Sequence, residues 1–207
     1  LHTTENKAQR LTVIDSLLKR TFSKDPDAFI KYSLQYIDLA QELDSIELAA
    51  KKAMNLQFPL TNYANDPLNA ITVINRVLAR KYKIKDSLLL GGLYLKRGSA
   101  NRKVDLKRAI EDYNMALENF TPKDTLNIAD TYLFRGQTYS QMGEFVLAGE
   151  DLTRAYTMYE LQKEYDYMVY AQQGIINMFS MNGFYEKAKL ERDALIDKMK
   201  NLGLNQF

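Results

Sequence analysis

Phe29, Ala70, Ala109, Ala148 and Ala188 occupy one equivalent place in five successive segments, at separations of 41, 39, 39 and 40 residues. A period near 40 with two helix-length stretches in each unit marks a repeat array. One helical pair cannot bury its apolar face alone and must stack on the next. The punctuation keeps the same spacing. Asp25-Pro26 and Asp66-Pro67, 41 apart, each put an N-cap acceptor before a proline at the first helical position, where a missing N–H costs nothing. Met142-Gly143-Glu144-Phe145 and Asn182-Gly183-Phe184-Tyr185 mark turns 40 apart. Thr121-Pro122 reads as a further helix start, and residues 98–102 as a polar loop.

Between these marks, apolar residues recur three and four apart, as a helix buried on one side requires. Ile71, Ile74, Val77 and Leu78 form one stripe; Ala109, Tyr113, Ala116 and Leu117 another; Ala148, Leu152, Ala155 and Tyr156 a third. Only nine Gly and four Pro interrupt the chain, and no strand-like alternation persists. The expectation is an all-α chain of ten helices in about five hairpins, forming a single solenoid over 1–207. Its segments are 5–22/26–43, 45–63/67–81, 85–98/104–119, 123–141/145–161 and 165–181/185–201. Pro59 falls inside the third helix and should kink or split it.

Composition removes many chemistries. With no Cys there is no disulfide framework, thiolate zinc site, iron–sulfur cluster or cysteine nucleophile. The one histidine, His2, lies at the extreme end, which disfavours His-based metal sites and Ser–His–Asp hydrolysis. No apolar run reaches the roughly 18–20 residues of a membrane span, and no signal peptide is expected within this sequence. The first residue is Leu, which suggests a processed or trimmed chain. No cofactor is expected.

Glu111-Asp112 and Glu150-Asp151 are adjacent in sequence, so neither pair faces itself across a helix. They read as solvated charges rather than an acid–base pair. Gly91-Gly92 lacks a following phosphate-loop Lys-Ser/Thr and reads as a packing site. Residues 76–108 hold eleven basic and two acidic side chains, in a chain whose total charge is only +2. Such a band suits an acidic peptide, an acidic protein surface or anionic lipid headgroups. The plainer reading is a solvated face that balances the acidic C-terminal half. Nucleic acid is disfavoured, because no helix-turn-helix or base-stacking motif accompanies the band.

Tyr132, Gly136, Tyr139, Gly143, Phe145, Ala148, Leu152 and Ala155 stand where tetratricopeptide repeats carry aromatic, Gly, Tyr, Gly, aromatic, Ala, aromatic and Ala. Gly92 with Ala109-Tyr113-Ala116, and Phe179, Gly183, Tyr185 and Ala188, repeat parts of the pattern. The chain resembles the tetratricopeptide repeat family over nearly its whole length, most clearly in 85–200. Its repeats are nearer 40 than 34 residues, and Arg135 takes a place where Leu is expected. The longer period is similar to that of bacterial sensor histidine kinases and transcriptional regulators with such repeats.

The resemblance implies an α–α superhelix, close packing at Gly136 and Ala148, and packing roles for Tyr113, Tyr139 and Tyr185. It also implies a non-catalytic module that binds a protein or peptide, as the sensor or interaction segment of a larger bacterial signalling protein. A periplasmic or extracytoplasmic location follows in preference to a cytoplasmic one. In the family the first helix of each hairpin lines a concave groove. Carried over, the groove residues are Asn55, Asn62, Tyr63, Lys96, Arg97, Gln137, Gln141, Gln173 and Asn177, with Leu89, Leu93, Leu133 and Met181 among them. Amide side chains there would meet a peptide backbone, and Lys96 and Arg97 a carboxylate. Plain solvent exposure is the alternative for the amides. The terminal-carboxylate clamp of chaperone-binding members is not reproduced, since Pro59 and Leu93 stand where Asn is needed. The last helix caps the array with a polar outer face that includes Lys187, Glu191, Lys198 and Asn201, or leads into a coiled coil. Alternative functions are a homo-oligomerisation scaffold or homodimer, a peptide receptor attached to a cytoplasmic helix-turn-helix regulator, and an enzyme working through carboxylates and Tyr.

Overall fold

The computed structural model describes residues 4–22 and 24–204; His2 lies outside them. The described residues form ten α-helices: α1 (Thr4–Thr21), α2 (Pro26–Glu42), α3 (Ile46–Phe58), α4 (Pro67–Leu78), α5 (Ser87–Asn101), α6 (Leu106–Asn119), α7 (Thr125–Met142), α8 (Phe145–Gln162), α9 (Tyr165–Met181) and α10 (Tyr185–Asn201). The chain groups into two compact units, Leu1–Thr121 and Pro122–Phe207.

In the first unit each helix packs on its successor, and α3 also packs on α5. Asp25, Asp66, Asp86 and Asp105 each accept a backbone N–H at a helix start, so four of the six helices begin on a carboxylate cap. Small residues set the spacing. A Cβ on Gly92 of α5 would come within 2.4 Å of Met54 on α3, and one on Gly91 within 2.6 Å of Phe120. Gly91-Gly92 is thus a packing site, as the sequence suggests. Ala49, Ala53, Leu56, Ile74, Val77, Leu93, Ala109 and Tyr113 fill the core.

Two local expectations change here, and the break at Pro59 is met. Residues 98–101 continue α5 rather than forming a loop: Gly98 is an approach point, since a Cβ there would lie 2.7 Å from Tyr113. The connection is Arg102 to Asp105. Pro59 ends α3, but the chain carries on as a π-helical turn (Pro59–Tyr63), in which Ala64 N–H donates to Pro59 C=O at 3.0 Å. Buried Thr61 steadies that turn by donating to Gln57 C=O at 2.8 Å while accepting from the Gln57 amide. Finally, Thr121-Pro122 lies in a turn, and α7 starts three residues later behind Asp124.

In the second unit α7 packs on α8, α8 on α9 and α9 on α10, with α7 also touching α9. Its core runs through Ala129, Leu133, Ala148, Leu152, Ala155, Tyr159, Met168 and Ala171, with Tyr139 and Phe145 packed against it. Gly136 makes the α7–α8 contact tight, because a Cβ there would stand 3.1 Å from the Leu152 backbone nitrogen. Gly143 and Gly183 close their helices with positive φ, which the absence of a Cβ permits.

Two carboxylates read from sequence as solvated are buried. Asp112 of α6 and Asp151 of α8 each keep only 4% of their side chain exposed. Arg97 Nε donates to Asp112 at 2.9 Å, and Arg135 Nε to Asp151 at 2.6 Å, each guanidinium making a second bond to its carboxylate. Arg97-Gly98 and Arg135-Gly136 are 38 apart, and Ala109-x-x-Asp112 and Ala148-x-x-Asp151 are 39 apart. The same internal ion pair is therefore built into two successive repeats. It also explains Arg135 at a place where Leu was expected: the Arg pins its partner helix instead of filling a core. The Asp151 carboxylate, together with Tyr139 and Tyr132, raises the Arg135 pKa against the opposing effect of burial.

Candidate functional site

Asn55, Phe58 and Asn62 are spaced three and four apart along α3 and its π-helical extension, and all are exposed. Tyr63 follows at 63% exposure and meets Phe58, itself 54% exposed, edge-to-face with centroids 5.5 Å apart. Two large aromatic rings so open to water, beside two amides, form a cluster of donors, acceptors and apolar area. The π turn creates it: the extra residue per turn shifts Asn62 and Tyr63 around the axis relative to an uninterrupted α-helix. Lys103 closes one side by donating to Thr61 C=O at 2.9 Å and Asn62 Oδ1 at 3.3 Å.

Lys96 is half-exposed on α5, with no ion pair among the described residues. Arg97 is different. Besides Asp112 it donates to Asn75 Oδ1 at 2.7 Å, so it ties α4, α5 and α6 together and has little left for a ligand carboxylate. In the second unit Gln141, Gln173 and Asn177 are exposed and Gln137 half-buried; Gln173 donates to Asn177 at 2.9 Å. Leu89, Leu93 and Leu133 are buried core residues, not groove lining, because the inward stripe of a first helix also packs on its neighbours. Met181 is exposed. Of the Tyr assigned to packing, Tyr113 is buried and Tyr139 half-buried, but Tyr185 is 71% exposed.

The basic band is partly neutralised within the first unit. Arg76 pairs with Asp38; Arg80 and Lys83 pair with Asp44; Arg108 pairs with Asp105. Lys83 and Arg80 together hold the Asp44 carboxyl below its usual range. Lys81 donates to Tyr94 Oη. Of the eleven cations, five stand in ion pairs, and Arg76, Arg80 and Lys83 bridge one hairpin to the next. Residues 38 and 44 supply their acids from outside the window in which the band was counted.

Nothing at these positions assembles a nucleophile with a base, and among the described residues no three Asp, Glu or His cluster so as to hold a metal. No described helix is long and apolar enough to cross a membrane. Tyr159 donates to Asp130 at 2.5 Å and stacks on Tyr167; burial and the Asp130 charge push its pKa up, which makes it a structural phenol rather than an acid.

No protein-family model and no curated sequence matches this chain. Solved structures do. The MamA protein aligns with TM-score 0.68 at 18% identity, over 97% of both chains. A putative kinesin light chain from Podosopora anserina with nearly identical TPR-like repeats aligns with TM-score 0.74 at 13% identity, over 98% of this chain and 99% of that one. BtubC (BKLC) from P. vanneervenii aligns with TM-score 0.66 at 13% identity, over 97% and 93%. At these identities the likeness concerns architecture: the chain has the all-α, α–α superhelical fold of tetratricopeptide-like repeat proteins.

Proposed function

We propose that the chain is a non-catalytic module that binds a protein or peptide, and that it serves as the sensor or interaction segment of a larger bacterial signalling protein. The observation that supports this most is the exposed Phe58–Tyr63 pair beside Asn55 and Asn62. Aromatic residues dominate binding hot spots because they remove large apolar area from water at small entropy cost, while neighbouring amides satisfy a peptide backbone. Lys96 is a secondary contact in this reading, while Gln137, Gln141, Gln173 and Asn177 offer a separate amide surface in the second unit. Arg97 positions helices rather than ligand.

Selection of a displayed random-peptide library on the purified chain tests the proposal. Selected peptides should lose at least about tenfold in affinity on the Phe58→Ala or Tyr63→Ala variant, in line with hot-spot truncation. They should be indifferent to Tyr82→Ala, a substitution at another exposed Tyr. Peptides that bind all three variants like the parent chain would refute this placement of the site.

A further inference from the structure

Helix α10 buries few of its residues. Ala188 and Met199 are buried, but between them Leu195 is only half-buried, and Glu191 and Lys198 reach back toward α9 and α8. Glu191 and Lys198 therefore do not belong to the polar outer face expected for this helix. Behind them lies an open cavity of about 450 Å3 bounded by α8, α9 and α10. That volume is in the range of small-molecule sites.

The interior is apolar: Ile175, Met178, Phe179 and Leu195 line it, and Gly149 of α8 puts no side chain into it. A Cβ on Gly149 would sit 3.6 Å from Met178 Sδ, an ordinary contact, so a side chain can be added at this edge of the cavity without a backbone clash. Most polar groups at the rim are already engaged. Lys198 donates to Tyr156 Oη at 2.6 Å and pairs with Glu160, while Glu191 accepts from Gln172 at 2.9 Å. Lys187 is the exception. It has no carboxylate partner among the described residues, and its ammonium lies 4.3 Å over the Phe179 ring.

We infer that this cavity binds an apolar organic anion, with an aryl or alkyl body against Ile175, Met178, Phe179 and Leu195 and a carboxylate or sulfonate on Lys187. The Glu191 charge keeps the anionic group at the Lys187 end. The site lies wholly in the second unit and does not depend on the peptide-binding reading, which centres on Phe58 and Tyr63.

Two dyes with one ring body test it: 1-anilinonaphthalene-8-sulfonate and its uncharged relative N-phenyl-1-naphthylamine. The full chain should bind the sulfonate saturably at one site. Gly149→Leu fills the space and replaces a helical Gly with a better helix former, so its melting temperature should hold or rise while both dyes weaken by at least about tenfold. Lys187→Ala, an exposed-rim change, should weaken the sulfonate by about tenfold, the size of one charge-assisted hydrogen bond, and leave the neutral dye within about twofold. Undiminished sulfonate binding in Gly149→Leu, equal loss of both dyes in Lys187→Ala, or no saturable binding by the parent chain would each overturn the inference. If Gly149→Leu melts early, the split between the dyes in Lys187→Ala decides alone.

Discussion

Hairpins α7–α8 and α9–α10 share a repeat register and differ in how well they close. At a spacing of 40, Ala148, Asp151, Leu152, Ala155 and Tyr159 of α8 correspond to Ala188, Glu191, Arg192, Leu195 and Met199 of α10. All five α8 residues are buried, whereas only Ala188 and Met199 of α10 are. On the facing helix Gly136 becomes Ile176 and Arg135 becomes Ile175. The close approach, the core leucine and the buried ion pair are lost together. What replaces them is open volume on both sides of Leu195: the cavity toward α8, and a second of about 390 Å3 bordered by Val169, Gln173, Arg192 and Met199. Repeat arrays gain stability from nearest-neighbour burial, so a loosely filled repeat can hold a ligand at the expense of rigidity.

The largest expected effect separates the two hairpins by their ion pairs. Asp151→Ala leaves the Arg135 guanidinium largely buried without its carboxylate, which should cost about 3–5 kcal/mol in urea unfolding. Glu191→Ala at the matching place removes a half-exposed group bonded to an amide and should cost less than about 1.5 kcal/mol. Replacing Arg135 and Asp151 together with Leu should recover most of the loss, because two matched apolar residues leave no charge stranded. Equal costs for Asp151→Ala and Glu191→Ala would remove the distinction between the hairpins.

Packing comes next. Ala148→Leu should overpack the α7–α8 contact and cost about 1–3 kcal/mol, since Gly136 already lies against the Ala148 carbonyl. Arg192→Leu restores the residue type that α8 uses at that place. It should stabilise the chain by about 1 kcal/mol through added apolar burial, read as a higher melting temperature.

The period, the helix count and the packing glycines were readable because each rests on local chemistry: Asp-Pro caps, apolar stripes at helical spacing, glycines before a bulky partner. The Arg97–Asp112 and Arg135–Asp151 pairs were visible only as a recurrence, Arg-Gly in one helix and Ala-x-x-Asp in the next, and adjacent-residue reasoning about Glu150-Asp151 passed over it. The fate of the basic band depended on acids some 40 residues away, which no local window contains. At the candidate site Pro59 announced a break in α3, but not the π turn that turns Asn62 and Tyr63 outward beside Phe58. The cavity behind α10 escaped because it lies between Gly149, which carries no side chain, and a half-buried Leu195, and an unfilled volume leaves no motif.

The smallest effect is one of pH, with an acid limb and an alkaline limb. Lys19 and Lys52 hold Asp15, and Lys83 and Arg80 hold Asp44, below the ordinary carboxylate value. Their contribution is present above the unfolded carboxylate pKa of about 4 and is lost as pH falls through the lower folded values. Lys198 is raised by Glu160 and Tyr156 against the opposing effect of burial, so its contribution is full below the unfolded lysine pKa of about 10.4 and is lost as pH rises through the folded one. Melting curves should therefore fall off at acid pH through these first-unit carboxylates and at alkaline pH through Lys198 together with Tyr36 and Tyr159, whose burial keeps them protonated in the fold. Asp44→Asn should blunt only the acid limb and Lys198→Met only the alkaline limb, each modestly because these groups are mostly open to solvent. An alkaline limb unaltered in Lys198→Met would mean that the buried phenols of Tyr36 and Tyr159 set it and that the Tyr156–Lys198–Glu160 link adds nothing to the hold of α10 on α8.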